Sequence, residues 1–310
     1  MTISRRFCAA LALAIGTALA VTSCTLPADA QSTPDGVTSL ARWAEYDLAA
    51  LPGVVAVEAG QYNETDDVGA DMLDADLWGM DLDVIVDPLI GADDIAAVAE
   101  ATREFSEAHA GAAVWAARVT IAPATETVDD SSTPDRLRVD VYPEVVGSAG
   151  EAARAALEVS AIPSVATVTV MSVPSIQVTE AADLGAALEA VERLPFWAEG
   201  GNLSTVDGRV RLADVPELIT NAGLLAIADA ARAHPGGQFW LEAANEGARY
   251  PELYVDGVSA DEAAAIAARF LDPAMNAATA SAYVLEFNIR AVGAEGAIDT
   301  YGTFGGVPSP

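Results

Sequence analysis

The sequence has no lysine: all 15 of its cations are arginine, set against 46 Asp and Glu, and the formal net charge is −31. Two histidines and two cysteines complete the scarce residues. Each shortage excludes a chemistry. Without lysine there is no phosphate-binding loop of the Walker type, no Schiff base and no Ser-Lys dyad. Two histidines cannot supply a three-His zinc site. A chain this acidic is not built to neutralise nucleic-acid phosphates. Neither a G-x-S-x-G nucleophile elbow nor a G-x-G-x-x-G dinucleotide loop occurs, and no cofactor is implied. What the chain does have is length and apolar content: 310 residues, 52% hydrophobic, enough to bury a sizeable core.

The first thirty residues read as an address. Arg5 and Arg6 precede an apolar run from Phe7 to Val21, which is short for a membrane span and suits a signal-peptide core. Val21-Thr22-Ser23-Cys24 follows. This segment resembles the lipobox of bacterial lipoproteins. The resemblance implies a diacylglycerol on the Cys24 sulfur and cleavage that leaves Cys24 as the first mature residue. It therefore places the protein at the cell membrane, lipid-anchored on the extracytoplasmic face. The competing reading is cleavage after Ala28-Asp29-Ala30, which would discard Cys24 and secrete a soluble protein. The arginine pair leaves open both general secretion and the twin-arginine route. Either cleavage removes Cys8, so the mature chain can form no internal disulfide, and packing must supply its stability. Loss of residues 1–23 removes two arginines and no acid, which makes the chain more negative still.

Residues 24–36, with Pro27, Pro34 and Gly36, read as a tether. Beyond them helix-period and strand-period segments alternate, and their order recurs. His109-Ala-Gly111 before Trp115 matches His234-Pro-Gly236 before Trp240, each behind an Ala-rich helical stretch. Helices are predicted near 37–51, 148–161, 181–194 and 259–271. Leu51-Pro52 and Leu194-Pro195 each end a helix and lead into a strand, the second from Phe196. The expected fold is α+β: two tandem homologous domains of βαβ-type units, 37–172 and 173–292, each a mixed sheet with helices on one face, related to the ferredoxin-like sandwich. Three βαββαβ domains cut from the same six units are the other grouping. Residues 293–310, rich in glycine, are expected to form an irregular tail.

In the helix over 259–271, Ala263, Ile266, Ala267, Phe270 and Leu271 form one apolar stripe, with Ser259 and Glu262 as a capping box. Asp207-Gly208 suits a hairpin turn. His109 and His234, the only imidazoles, sit where a helix C-terminus can use a cation or donor. Trp115 and Trp240, with Phe239, suit core packing or an exposed ligand platform. The stretch from Glu64 to Asp87 is densely acidic. Calcium takes six to eight oxygens, so Asp66, Asp67, Asp71, Asp74 and Asp76 are weak candidate ligands; the EF-hand spacing is absent, and a solvated acidic loop is the plainer reading.

The expected function is binding or scaffolding at the cell envelope, with the membrane reached through the N-terminal lipid, an envelope protein or cell-wall partner, and no nucleic acid. No catalytic motif is present. The alternatives are a carboxylate-dependent hydrolase of cell-wall glycans, with aromatic side chains to stack on sugars, and a calcium-binding surface protein.

Overall fold

The computed structural model describes residues 34–63, 78–109, 114–122, 135–141, 148–192, 194–198, 200–215, 218–242, 251–278, 284–293 and 296–306. The expected signal segment, Cys24, Ala28–Ala30 and the five candidate calcium ligands lie outside these residues. Six αββ units follow one another. They are α1 (Pro34–Leu48), β1 (Val54–Asn63) and β2 (Trp78–Val86); α2 (Ala92–His109), β3 (Val114–Ile121) and β4 (Leu137–Asp140); α3 (Ala149–Ser160), β5 (Val165–Val170) and β6 (Ser175–Val178); α4 (Leu184–Val191), β7 (Gly201–Thr205) and β8 (Val210–Val215); α5 (Asn221–Ala233), β9 (Gln238–Glu242) and β10 (Glu252–Val258); and α6 (Ala260–Phe270), β11 (Glu286–Gly293) and β12 (Gly296–Thr303).

The twelve described strands form one mixed sheet in sequence order. The two strands of each unit pair antiparallel, as in β1 with β2 and β11 with β12. Between units the pairing is parallel, as in β2 with β3 and β10 with β11, and a helix makes the crossover. Pairing continues through the expected boundary at 172/173, where β5 and β6 form a hairpin.

Alternation along the strands decides which face is buried. Ile121, Leu137, Val168, Ile176, Leu203, Leu212, Leu241, Leu253 and Phe287 stand side by side in register from β3 to β11, and all are buried. They share one apolar core with residues of all six helices. The helices therefore cover this face of the sheet. The predicted stripe of α6 is buried at Ala263, Ile266, Ala267 and Phe270, spaced to return to one side of a helix. Leu271 falls just past the helix and is exposed. The capping box is present, with the Ser259 side chain accepting from the Glu262 amide and the Glu262 carboxylate accepting from the Ser259 amide.

Two expectations are corrected. Phe196 does not begin a strand. Pro195 opens a short 3-10 turn over Pro195–Trp197, Phe196 and Trp197 are buried there, and β7 begins at Gly201. The proline fixes φ near the helical value, which favours the turn over extended chain. Nor is 293–310 irregular as far as it is described. β12 pairs along its length with β11, and Phe304 is buried against Phe270 and Phe287 at ring distances of 4.5 and 6.0 Å. Glycine composition misled here. A side chain at Gly302 would collide with the Phe287 ring, so the residue is required by close packing.

Candidate functional site

The opposite face of the sheet carries polar, charged and aromatic side chains. At β2–β4 it holds a charge network. Asp83 on β2 stands opposite Arg118 on β3, which stands opposite Asp140 on β4. Asp83 accepts from Arg118 Nε at 3.1 Å and from Thr120 Oγ1 at 2.8 Å. Arg138 donates to both Asp140 oxygens, at 2.8 and 3.3 Å, a two-pronged contact that suits the guanidinium fork. The hydrogen bond to Asp140 raises the Arg138 pKa further, against the opposing effect of burial.

Asp135, just before β4, completes the cluster. Burial pushes its carboxyl pKa up, and the Asp83 charge adds to the effect, while Arg138 and Arg118 oppose it. A carboxyl with a raised pKa thus sits in the field of a second acid and two arginines, a setting that acid–base work requires. Asp83 lay within the acidic stretch singled out from sequence. Asp135 and Arg118 gave no signal, because only strand register brings them to Asp83.

From β5 to β12 a second row crosses the same face: Thr167, Gln177, Ser204, Arg211, Trp240, Tyr254, Asn288 and Tyr301. Trp240 is therefore not in the core; its neighbour Phe239 is. Trp240 and Tyr254 stack nearly parallel, ring centroids 5.5 Å apart, so each covers a face of the other. One step along the strands, Glu242, Glu252 and Glu286 stand abreast on β9, β10 and β11. The Tyr254 hydroxyl is hydrogen-bonded to Glu252, and this contact, burial and the nearby charges of Glu252 and Glu242 push its pKa up to about 12.

The two histidines share a backbone place, not a side-chain role. His109 ends α2 and its Nδ1–H donates to the Phe105 carbonyl at 2.8 Å. His234 follows α5, but its ring faces Glu262 Oε1 at 3.4 Å. Arg209 serves the end of α5 instead, donating to the carbonyls of Ala231, His234 and Gly237 at 2.8, 3.2 and 3.3 Å.

Arg209 is held by the loop between β7 and β8. That loop is longer than the two-residue turn expected, with Thr205 facing Val210 and Asp207-Gly208 inside it. Gly208 has φ of +68°, which a β-carbon would disfavour. Burial pushes the Asp207 pKa up, but hydrogen bonds from Thr205 and the Arg209 amide outweigh it and leave it lowered. A cleft of about 310 Å³ opens here, lined by Thr179, Glu180, Thr205, Asp207, Arg209 and Arg232. Its acids and its committed arginines offer no clear preference for a ligand of either sign.

Among the described residues no group of His, Cys, Asp and Glu is placed to hold a metal ion. Of the candidate acids, Asp66, Asp67, Asp71, Asp74 and Asp76 lie outside those residues. Among the described helices none is long and apolar enough to cross a membrane. No family model matches the chain, and no curated protein and no solved structure is similar to it.

Proposed function

We propose that the chain is an exported lipoprotein, anchored through Cys24, that binds or scaffolds a partner at the cell envelope through the open face of its sheet. The observation that carries this reading is the asymmetry of that sheet. Helices bury one face from β3 to β11, and the other presents in-register polar and aromatic side chains across the strands. With a formal charge of −31 and three glutamates abreast, the face suits a partner presenting cationic groups. The proposal includes an internal duplication, 37–172 and 173–292, each copy a ferredoxin-like relative. It is supported by His109 and His234 closing α2 and α5, three units apart.

Cys24→Ala should move the protein from the membrane to the medium, since two acyl chains give stable anchoring. A wild-type chain that starts at Gln31 would rule out the anchor. The released Cys24→Ala protein should still bind isolated envelopes. Glu242→Gln with Glu252→Gln should weaken that binding about tenfold, the equivalent of about 1.4 kcal/mol. Undiminished binding would remove the open face from the proposal.

The second reading, a glycan hydrolase, draws on Asp135, whose carboxyl pKa is raised by burial and by neighbouring Asp83, as a proton-donating acid requires. It predicts release of reducing ends from cell-wall glycan, abolished by Asp135→Asn. No release by the wild type would end it.

A further inference from the structure

We propose that the outer strands β1 and β12 pair with each other between molecules, so that copies add head to tail into one longer sheet. The inference needs neither Cys24 nor an envelope partner. It follows from the way the units already join. At every internal junction the second strand of one unit runs parallel to the first strand of the next, as β4 with β5, β6 with β7 and β8 with β9. Among the described residues β1 is a first strand with no unit before it, and β12 is a second strand with no unit after it. Among the described residues each is paired on one side only. The two edges are therefore of the kinds that join elsewhere in the molecule.

Among the described residues neither edge carries the usual protection. Natural edge strands are blunted by proline, lysine, shortness or strong bulges. β1 has ten residues and β12 has eight, with no proline or basic residue in either, and one acid each, Glu58 and Asp299. An irregularity at Val54–Ala56 disturbs only the start of β1. Val55 and Ile298 are 65% and 56% exposed. The helices beside the two edges also leave apolar groups outside, Trp43 and Tyr46 on α1 and Leu271 after α6. A contact of the internal type brings α1 of one copy next to α6 of another.

Register can be chosen on faces and charge. Val57 and Ala59 stand opposite core residues Val84 and Leu82, and Thr300 and Gly302 stand opposite core residues Ile289 and Phe287. Setting Thr300 beside Val57 and Gly302 beside Ala59 continues both faces, with Asp299 beside Ala56 and Tyr301 beside Glu58. A slip of two residues would oppose Asp299 to Glu58, a like-charge pair that the sheet disfavours. Because the two edges differ, the contact does not close on itself and can extend.

The test is sedimentation velocity on the full chain in detergent at rising concentration, with Ile298→Lys blocking one edge and Val55→Lys the other. The wild type should grow in mass with concentration. Each variant alone should stay at the one-chain mass of 31.8 kDa. Their equimolar mixture should reach twice that and stop, because one free edge of each kind remains. Thermal unfolding of each variant checks its fold, and Tyr301→Lys blocks the β12 edge if Ile298→Lys unfolds. A wild type that stays at one-chain mass, a blocked variant that still associates, or a mixture that stays single would each overturn the proposal.

Discussion

Two patches of the open sheet face carry acids in register and treat them in opposite ways. At β2–β4 acid alternates with arginine, Asp83 beside Arg118 beside Asp140, with Arg138 and Thr120 closing the hydrogen bonds. At β9–β11 Glu242, Glu252 and Glu286 stand abreast, and among the described residues their ladder partners include no arginine. The first patch spends its charge inside the protein and steadies the sheet. The second has no such alternation; Glu252 accepts from the Tyr254 hydroxyl, and in the proposed function the row faces a cationic partner. A single backbone pattern thus serves stability at one place and, in the proposed function, recognition at another.

The sharpest way to break this contrast is Asp83→Ala. It removes the acceptor of Arg118 and Thr120 at once and leaves a half-buried guanidinium without its carboxylate. A loss of about 1–3 kcal/mol is expected in urea unfolding. A loss under about 0.5 kcal/mol would mean that the β2–β4 network does not hold the sheet.

At the other patch the sign reverses. Glu252→Gln relieves a like-charge row and should stabilise by a few tenths of a kcal/mol up to about 1. The Tyr254 pKa should fall from about 12 towards the ordinary 10, read by ultraviolet titration of tyrosinate. An unmoved Tyr254 would place Glu252 outside its field.

Asp135 sharpens the comparison through pH. Its carboxyl holds the proton more tightly in the folded chain, so its contribution to stability is complete below the unfolded pKa, near 3.8, and is lost as pH rises through the raised folded value. Asp135→Asn should therefore be the more stable protein at pH 7, by under about 1 kcal/mol after solvent screening. The gain should vanish as pH falls to the unfolded pKa. A variant less stable than wild type at pH 7 would mean that attraction to Arg118 and Arg138 wins over burial.

The smallest effect is general. The formal charge of −31 makes repulsion outnumber attraction, so the melting temperature should rise with NaCl as the screening length falls from about 30 Å at 0.01 M to about 8 Å at 0.15 M. Calcium at matched ionic strength should add to this only if the acidic stretch between Glu64 and Asp87 binds it.

Local structure was legible from sequence where chemistry is local. Ser259 with Glu262 marked the start of α6, and its stripe marked the buried side. The helix expected near 148–161 is α3. What failed were properties of the whole sheet. The aromatic pair Phe239-Trp240 has two equally apolar members, and only neighbouring strands decide that Phe239 enters the core and Trp240 faces out. Glycines at 302, 305 and 306 read as loop, yet Phe304 anchors that segment between Phe270 and Phe287. The matched positions of His109 and His234 suggested one shared role, but the capping of α5 belongs to Arg209, which reaches it from the β7–β8 loop. The charge network shares this origin, since Asp83 and Arg118 are 35 residues apart in sequence.

Gln238 on β9 is exposed beside the buried Phe239 and looks out from the open face; Glu189 on α4 is exposed on the helical side. A single cysteine at either place can be labelled with a membrane-impermeant maleimide, in the purified protein and in intact cells. If the open face is the binding surface, Gln238→Cys reacts when purified and is protected in cells, whereas Glu189→Cys reacts in both. Gln238→Cys labelled as fully in cells as in the purified protein would contradict it.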